Sequence, residues 1–142
     1  MKLVDANVLI YAVNEDAPHH AAARDWLDHA LSGAATVGFS WTVLLAFVRL
    51  ITKAELFDAP LSVDDAFHQV DQWLAAPAAV VIEPTARHAD VLRSLLSERG
   101  AGGNLVTDAH LAALAVEHRG EIVSFDRDFD RFAGVRWERP GG

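Results

Sequence analysis

The chain has 142 residues, 51% hydrophobic and 23% charged. That length and balance fit one folded domain with a sizeable core and exclude a disordered chain. Cysteine is absent, which excludes a disulfide framework, a thiolate metal site and a cysteine nucleophile. With 20 acids against 12 bases the formal charge is −8, so a wide basic surface for nucleic acid is not expected and any cationic contact must be local.

Residues 2–5 read as a short apolar strand ending in an acid, and residues 6–13 as a compact stretch that turns helical at once. Residues 14–18 are a polar break. Residues 19–31 place Ala22, Ala23, Trp26, Leu27, Ala30 and Leu31 at helical spacing, and Gly33 ends the run. Residues 36–39 are a short strand. Ser40 is placed to cap a helix over 41–52, and that run is apolar almost all round, so the helix is expected to be buried. Residues 56–61 are a loop. Ser62, with Asp65 three residues on, is close to a capping box and opens a helix to about residue 74.

Residues 79–82 are a strand of small and β-branched residues, and 85–99 an amphipathic helix. Gly100, Gly102 and Gly103 form a flexible connection. Residues 104–118 are helical again, with Gly120 as the expected C-cap. A strand over 121–125, a short turn or helix over 126–132 and a last strand over 135–137 complete the chain. Residues 139–142 read as a frayed tail of a single domain spanning 1–142.

Short strands alternate with helices, and no Asn-Gly hairpin signal is present. The pattern predicts an α/β protein with a mostly parallel sheet of about five strands, covered by helices on both faces. Function in such sheets lies beyond the carboxyl ends of the strands. No apolar run reaches the ~18 residues of a membrane span, and Asp5 and Asn7 interrupt the start of the chain where a signal peptide would be apolar. A soluble cytoplasmic protein is expected.

Three acids stand out. Asp5 ends the first strand among apolar neighbours, where an uncompensated carboxylate loses several kcal/mol of solvation; capping the next helix is the plain alternative. Asp108 lies in the first turn of a helix that is apolar over most of its circumference, where the helix dipole makes a negative charge tolerable. Asp126 follows a strand directly, and Asp128 reads as a turn acid. Asp5 and Asp126 fall on the same edge of a parallel sheet, and Asp108 opens the helix that leads back to the strand before Asp126. Were all three to face one crevice, each pair at ~4 Å would repel by about 4 kcal/mol at an effective dielectric near 20. Protonation or a hard cation must then relieve the cluster, and oxygen-only ligands suit Mg²⁺ or Mn²⁺.

Val4-Asp5-Ala6-Asn7-Val8-Leu9, the run Thr107-Asp108-Ala109-His110-Leu111-Ala112-Ala113-Leu114-Ala115, and Ser124-Phe125-Asp126-Arg127-Asp128-Phe129 come in this order over essentially the whole chain. Together they resemble PIN domains, and among these the VapC-type toxin ribonucleases. The resemblance implies a three-layer α/β/α fold and cleavage of RNA phosphodiesters with Mg²⁺ or Mn²⁺. It also implies a VapB-type antitoxin partner, a homodimer, and neither a membrane nor an organic cofactor. Asp5, Asp108 and Asp126 take the acidic-site roles by position: Asp5 and Asp108 hold the ion directly or through water, and Asp126 completes the pocket and orients the attacking water. Asn7 and Ser124 are polar supports, and Asp128 a fourth acid. An antitoxin arginine is expected to enter the pocket and displace or block the metal.

One departure from the family pattern concerns the helix after the second strand, where many relatives carry Glu-x-x-Arg. Here Ala46 stands in the Glu position and Arg49 is retained. The departure bears on a two-metal scheme more than on hydrolysis. Arg49, in a helix expected to be buried, is read as a paired residue beside the site.

His88 and His110 are read as structural histidines; His110, two residues past Asp108, points to the other side of its helix. His19 and His20 are expected to face solvent. Trp26, Trp41, Trp73 and Trp137 are read as core or interface anchors, and Arg87, Arg93 and Arg99 as scattered surface arginines. The Gly100–Gly103 stretch lacks the Lys-Ser/Thr of a phosphate loop. Two rival functions are an aspartyl-nucleophile phosphatase built on Asp5, of the haloacid-dehalogenase type, and a PIN-fold binding module without activity.

Overall fold

The computed structural model describes residues 1–99 and 105–142, with the side chains of Glu98 and Arg99 left aside. The glycine connection at 100–103, Asn104 and the Arg99 side chain therefore lie outside the described residues. Five short strands form one sheet: β1 (Lys2–Val4), β2 (Val37–Phe39), β3 (Ala79–Val81), β4 (Glu121–Val123) and β5 (Trp137–Glu138). All neighbouring pairs are parallel and the order is β3-β2-β1-β4-β5. The helices are α1 (Ala6–Val13), α2 (His20–Leu31), α3 (Trp41–Ile51), α4 (Val63–Ala75), α5 (His88–Arg99) and α6 (Leu105–Glu117), followed by a 3₁₀ turn over Arg127–Arg131.

The central strands carry Leu3, Val4, Val37, Phe39, Ile122 and Val123, all fully buried. This is the near-continuous apolar character of strands covered on both faces. The chain moves outward from β1 through β2 to β3, then returns to the other side of β1 with β4. The order thus reverses between β1 and β4, and a crevice opens beyond their carboxyl ends. Asp5 directly follows β1, and Ser124 directly follows β4.

The expected caps form. Ser40 Oγ accepts from Val43 N–H at 3.2 Å and Ser62 Oγ from Asp65 N–H at 3.0 Å. The helix expected from residue 85 starts at His88, because Thr85 makes a turn instead: its hydroxyl accepts from Arg87 N–H at 3.2 Å and its carbonyl from His88 N–H at 3.0 Å.

Two expectations fail for physical reasons. α3 is not buried all round: Val43, Leu44, Phe47 and Ile51 pack inward while Trp41 and Leu45 are 42% and 56% exposed. A helix in an outer layer has only one face against the sheet, however apolar the other. Gly120 is not the residue that ends α6 in the left-handed conformation; Arg119 is, with φ 55°. Gly120 N–H then reaches Ala115 O at 2.8 Å and Arg119 N–H reaches Val116 O at 3.3 Å, a Schellman closure. Glycine serves at 120 by lacking a side chain, since a Cβ there would stand 2.2 Å from Leu3 Cδ1. At the chain end, Pro140 is buried and Gly142 N–H meets Arg139 O at 3.1 Å.

Candidate functional site

The backbone of Asp5 continues the sheet by one bond, its N–H donating to Val123 O at 3.0 Å. Its carboxylate is fixed on both oxygens. Oδ1 accepts from Ala6 N–H at 2.8 Å; Oδ2 accepts from the Ser124 hydroxyl at 2.7 Å and from the Asn7 amide at 3.4 Å. Asn7 Nδ2 also lies 3.1 Å from Ser124 Oγ, and Asn7 Oδ1 accepts from Phe125 N–H at 3.1 Å. Ser124 Oγ accepts in turn from Asp126 N–H at 3.0 Å. Asn7 and Ser124 therefore lock the end of β1 to the end of β4 and aim the acids. Asp126 caps the 3₁₀ turn, with Oδ1 accepting from Asp128 N–H at 2.9 Å.

α6 brings Asp108 to the same crevice. Asp108, Asp126 and Asp128 each offer a carboxylate oxygen within 4.8 Å of the others, and all three are half-buried. Asp5 stands beside this trio. It lines a small cavity of about 80 Å³ together with Asp108, Thr42, Val43 and Ala46. Ala46 thus sits in the wall of the acidic site, in the place the family pattern gives to an acid. Asp128, a spare acid by sequence, is a full member of the trio; Arg131 pairs with it at 3.5 Å on the outer rim.

The electrostatics follow from crowding. Burial, then the charges of Asp5, Asp126 and Asp128, push Asp108 up to about 6. Burial also raises Asp5, with Asp126 adding to it, against the lowering effect of the Ser124 and Ala6 hydrogen bonds. A set of hard oxygen donors that repel one another this strongly fits Mg²⁺ or Mn²⁺ and does not fit a soft metal.

Arg49 does not join the site. It is exposed in the last turn of α3, and its side chain makes no hydrogen bond or ion pair among the described residues. The buried setting expected for it fails because position 49 falls on the solvent side of a helix whose inward face runs through Leu44, Phe47 and Ile51.

His88 and His110 form a separate cluster between α5 and α6. His88 Nδ1 is 2.5 Å from Glu117 Oε2, and His88 Nε2 is 2.9 Å from His110 Nδ1. Thr85 donates to Glu117 Oε1 from its N–H at 2.8 Å and its hydroxyl at 2.6 Å. Burial, then His88, lowers His110, with Glu117 opposing. Burial would raise Glu117, but its hydrogen bonds from Thr85 and His88 outweigh this and hold it low.

Sequence reasoning missed a group beside the acids. His19 does not face solvent: its ring stacks on Phe125 at 4.7 Å and 16°, with Tyr11 against both rings. The Arg139 guanidinium lies 5.4 Å from the Phe125 centroid. Of the tryptophans, Trp73 is a core anchor against Phe39 and Phe47, whereas Trp41 is exposed. The aromatic at 125, between Ser124 and Asp126, was the available signal.

A PIN domain family model matches residues 2–135. The chain belongs to the PIN-domain family. Over 140 residues this PIN domain is 62% identical to Ribonuclease VapC37 of Mycobacterium tuberculosis, covering 99% of this chain and 97% of that one. It is 41% identical to Ribonuclease VapC43 of the same organism, covering 99% and 95%. These identities put the chain in the VapC branch of the family. Among solved structures, VapBC2 from Rickettsia felis, bound to a DNA fragment from its promoter, superposes with a TM-score of 0.72 at 20% identity over 97% of each chain. Mycobacterium tuberculosis VapC20, described as a sarcin-ricin loop cleaving toxin, gives 0.69 at 19% identity over 96% and 99%. At those identities the likeness is one of fold.

Proposed function

We propose that this PIN domain is a divalent-metal-dependent endoribonuclease, the toxin of a VapBC-type pair. The observation that carries the reading is the gathering of Asp5, Asp108, Asp126 and Asp128 at the switch point between β1 and β4. The ribonuclease naming of relatives at 62% and 41% identity supports it.

Asp5 and Asp108, expected from the sequence to hold Mg²⁺ or Mn²⁺ directly or through water, would share the ion with Asp126 and Asp128, whose carboxylates gather with that of Asp108. Such a cation supplies positive charge against the scissile phosphate and makes water a better nucleophile. Asp126, fixed through its own N–H by Ser124 and through Oδ1 by Asp128 N–H, orients the attacking water for in-line displacement. Ser124 and Asn7 keep Asp5 from swinging as charge shifts.

A VapB-type antitoxin is the partner, as in the VapBC assemblies among the structural neighbours, and an arginine of that antitoxin entering the acidic pocket would block it. The active form is a homodimer in the cytoplasm; no helix among the described residues is long and apolar enough to cross a membrane.

The test is cleavage of labelled RNA with Mg²⁺ or Mn²⁺, with EDTA, and with Asp5→Asn. Cleavage should require the metal and fall by about a hundredfold or more in the variant. Cleavage unchanged by EDTA and by the substitution overturns the mechanism. Antitoxin binding with no RNA cut under any metal makes the chain a binding module instead.

A further inference from the structure

Arg139 is the one arginine among the described residues that is not exposed. Among the described residues it has no carboxylate within ion-pair distance, in a chain of net charge −8. Its protein partners are an aromatic face and an imidazole: the Phe125 ring, and His19 Nε2 at 3.3 Å from Nη2. Arginine can only donate, so His19 accepts there. A guanidinium partly withdrawn from water without a counter-anion is costly unless an anion arrives.

Its place says which anion. β5 pairs with β4 in the register Val123–Glu138, and Ser124 N–H donates to Glu138 O at 3.0 Å. Arg139 therefore leaves the sheet at the same edge as Ser124. The ring it rests on, Phe125, lies between Ser124 and Asp126. Arg139 thus stands, without an ion pair, at the same carboxyl edge of the sheet as the acidic pocket, whose other arginine, Arg131, is already paired with Asp128, and an RNA backbone that reaches the carboxylates lies along that edge. Bare carboxylates repel that backbone, and a single oriented guanidinium offers bidentate contact to a phosphate.

We propose that Arg139, seated on Phe125 and oriented by His19, is a phosphate clamp that holds the RNA backbone at a position flanking the scissile bond. The inference rests on the ribonuclease reading above. His19 is a positioning residue: its ring is stacked on Phe125 and lies tilted against Tyr11, so it steadies Arg139 and does not receive a base.

The test uses the full chain carrying Asp108→Asn to prevent cutting, a fluorescein-labelled single-stranded RNA 12-mer, and anisotropy in Mg²⁺ from low to high salt. Adding Arg139→Met, which keeps length and contact with the ring, should weaken binding about tenfold and reduce the slope of log K against log salt by about 0.7, one single-strand phosphate contact. Arg139→Lys should restore the slope and only part of the affinity, since the charge returns without the planar fork. His19→Ala should weaken binding less and leave the slope intact. In the otherwise wild-type chain, Arg139→Met should raise KM more than it lowers kcat. Melting temperatures of the variants separate clamp from staple: a variant that melts early yet binds RNA with the parent affinity and slope overturns the proposal. So does an unchanged slope in a normally folded Arg139→Met chain. Where the wild-type chain cuts RNA and Arg139→Met changes nothing, the clamp alone is wrong; where the wild-type chain neither binds nor cuts RNA, the ribonuclease reading falls with it.

Discussion

The Ser124 hydroxyl donates to Asp5 Oδ2 at 2.7 Å across 119 positions of sequence. It also accepts from Asp126 N–H at 3.0 Å. A side chain that is 0% exposed thereby fixes two acids of the site at once. Ser124→Ala removes the donor while the Asp5 carboxylate and the Asp126 N–H stay half-buried. A loss of about 1–3 kcal/mol in urea unfolding is expected, together with an upward move of the pH at which activity rises, because Asp5 loses a hydrogen bond that favours its charged form. Unchanged stability and an unchanged pH profile would show that the hydroxyl holds neither acid.

Asp108 makes the metal-free protein less stable as pH rises. Its carboxyl is raised from 3.8 to about 6 in the folded chain, so the folded state binds its proton more tightly than the unfolded state. Between these pH values stability falls as pH increases, and the penalty is complete above about 6. Asp5, also raised, acts with the same sign. In EDTA at pH 7.5, Asp108→Asn should therefore melt about 2–4 °C above the wild type, with the gain vanishing by pH 4. Mg²⁺ should raise the wild-type melting temperature at pH 7.5 and do so less at pH 5. A variant that melts below wild type in EDTA at pH 7.5 contradicts this electrostatic picture.

Glu117 predicts the opposite slope elsewhere in the molecule. Its carboxyl is held low by Thr85 and His88, and His110 is lowered by burial and by His88. A depressed carboxyl contributes stability that is present above its unfolded pKa and lost on acidification. A depressed imidazole likewise makes the fold lose stability as pH falls below about 6.5. Glu117→Ala should cost about 1–3 kcal/mol near neutrality and flatten the acid side of the stability profile. Retention of full stability would mean that the Thr85–Glu117–His88–His110 chain does not tie α5 to α6.

Much of this arrangement could be read before folding. The strand end at Asp5, the helix that carries Asp108, the serine caps at Ser40 and Ser62 and the parallel sheet all follow from local pattern, because each signal lies within a few residues; the strand expected over 121–125 instead stops at Val123, because Ser124 turns to bond Asp5 and Asp126 caps the 3₁₀ turn. Ala46 lines the cavity that Asp5 and Asp108 share, whereas Arg49 is exposed: apolar residues all round a helix do not tell which face meets the sheet, and only the packed structure does. The seating of Arg139 on Phe125 and against His19, and the joining of Glu117 to Thr85, link residues between 14 and 120 positions apart. No periodicity encodes such contacts, so a solvent-facing histidine and a loose tail were the natural sequence expectations.

Ala46 marks a place where the site can be strengthened. It lines the 80 Å³ cavity that Asp5 and Asp108 share. Ala46→Glu adds an oxygen ligand and a negative charge there, so the Mn²⁺ concentration for half-maximal RNA cleavage should fall about tenfold, since ligand charge sets the affinity of such sites. The same variant should melt lower in EDTA through added repulsion. An unaltered metal requirement with an unaltered melt would show that position 46 lies outside the reach of the bound ion.

The most direct measurement is anomalous diffraction from crystals soaked in Mn²⁺, in the wild type and in Asp108→Asn. The account predicts a peak bounded by the carboxylates of Asp108, Asp126 and Asp128, beside Asp5, and its loss or marked weakening in the variant. A wild-type chain that binds Mn²⁺ only at other positions, with these four side chains left bare, would contradict it.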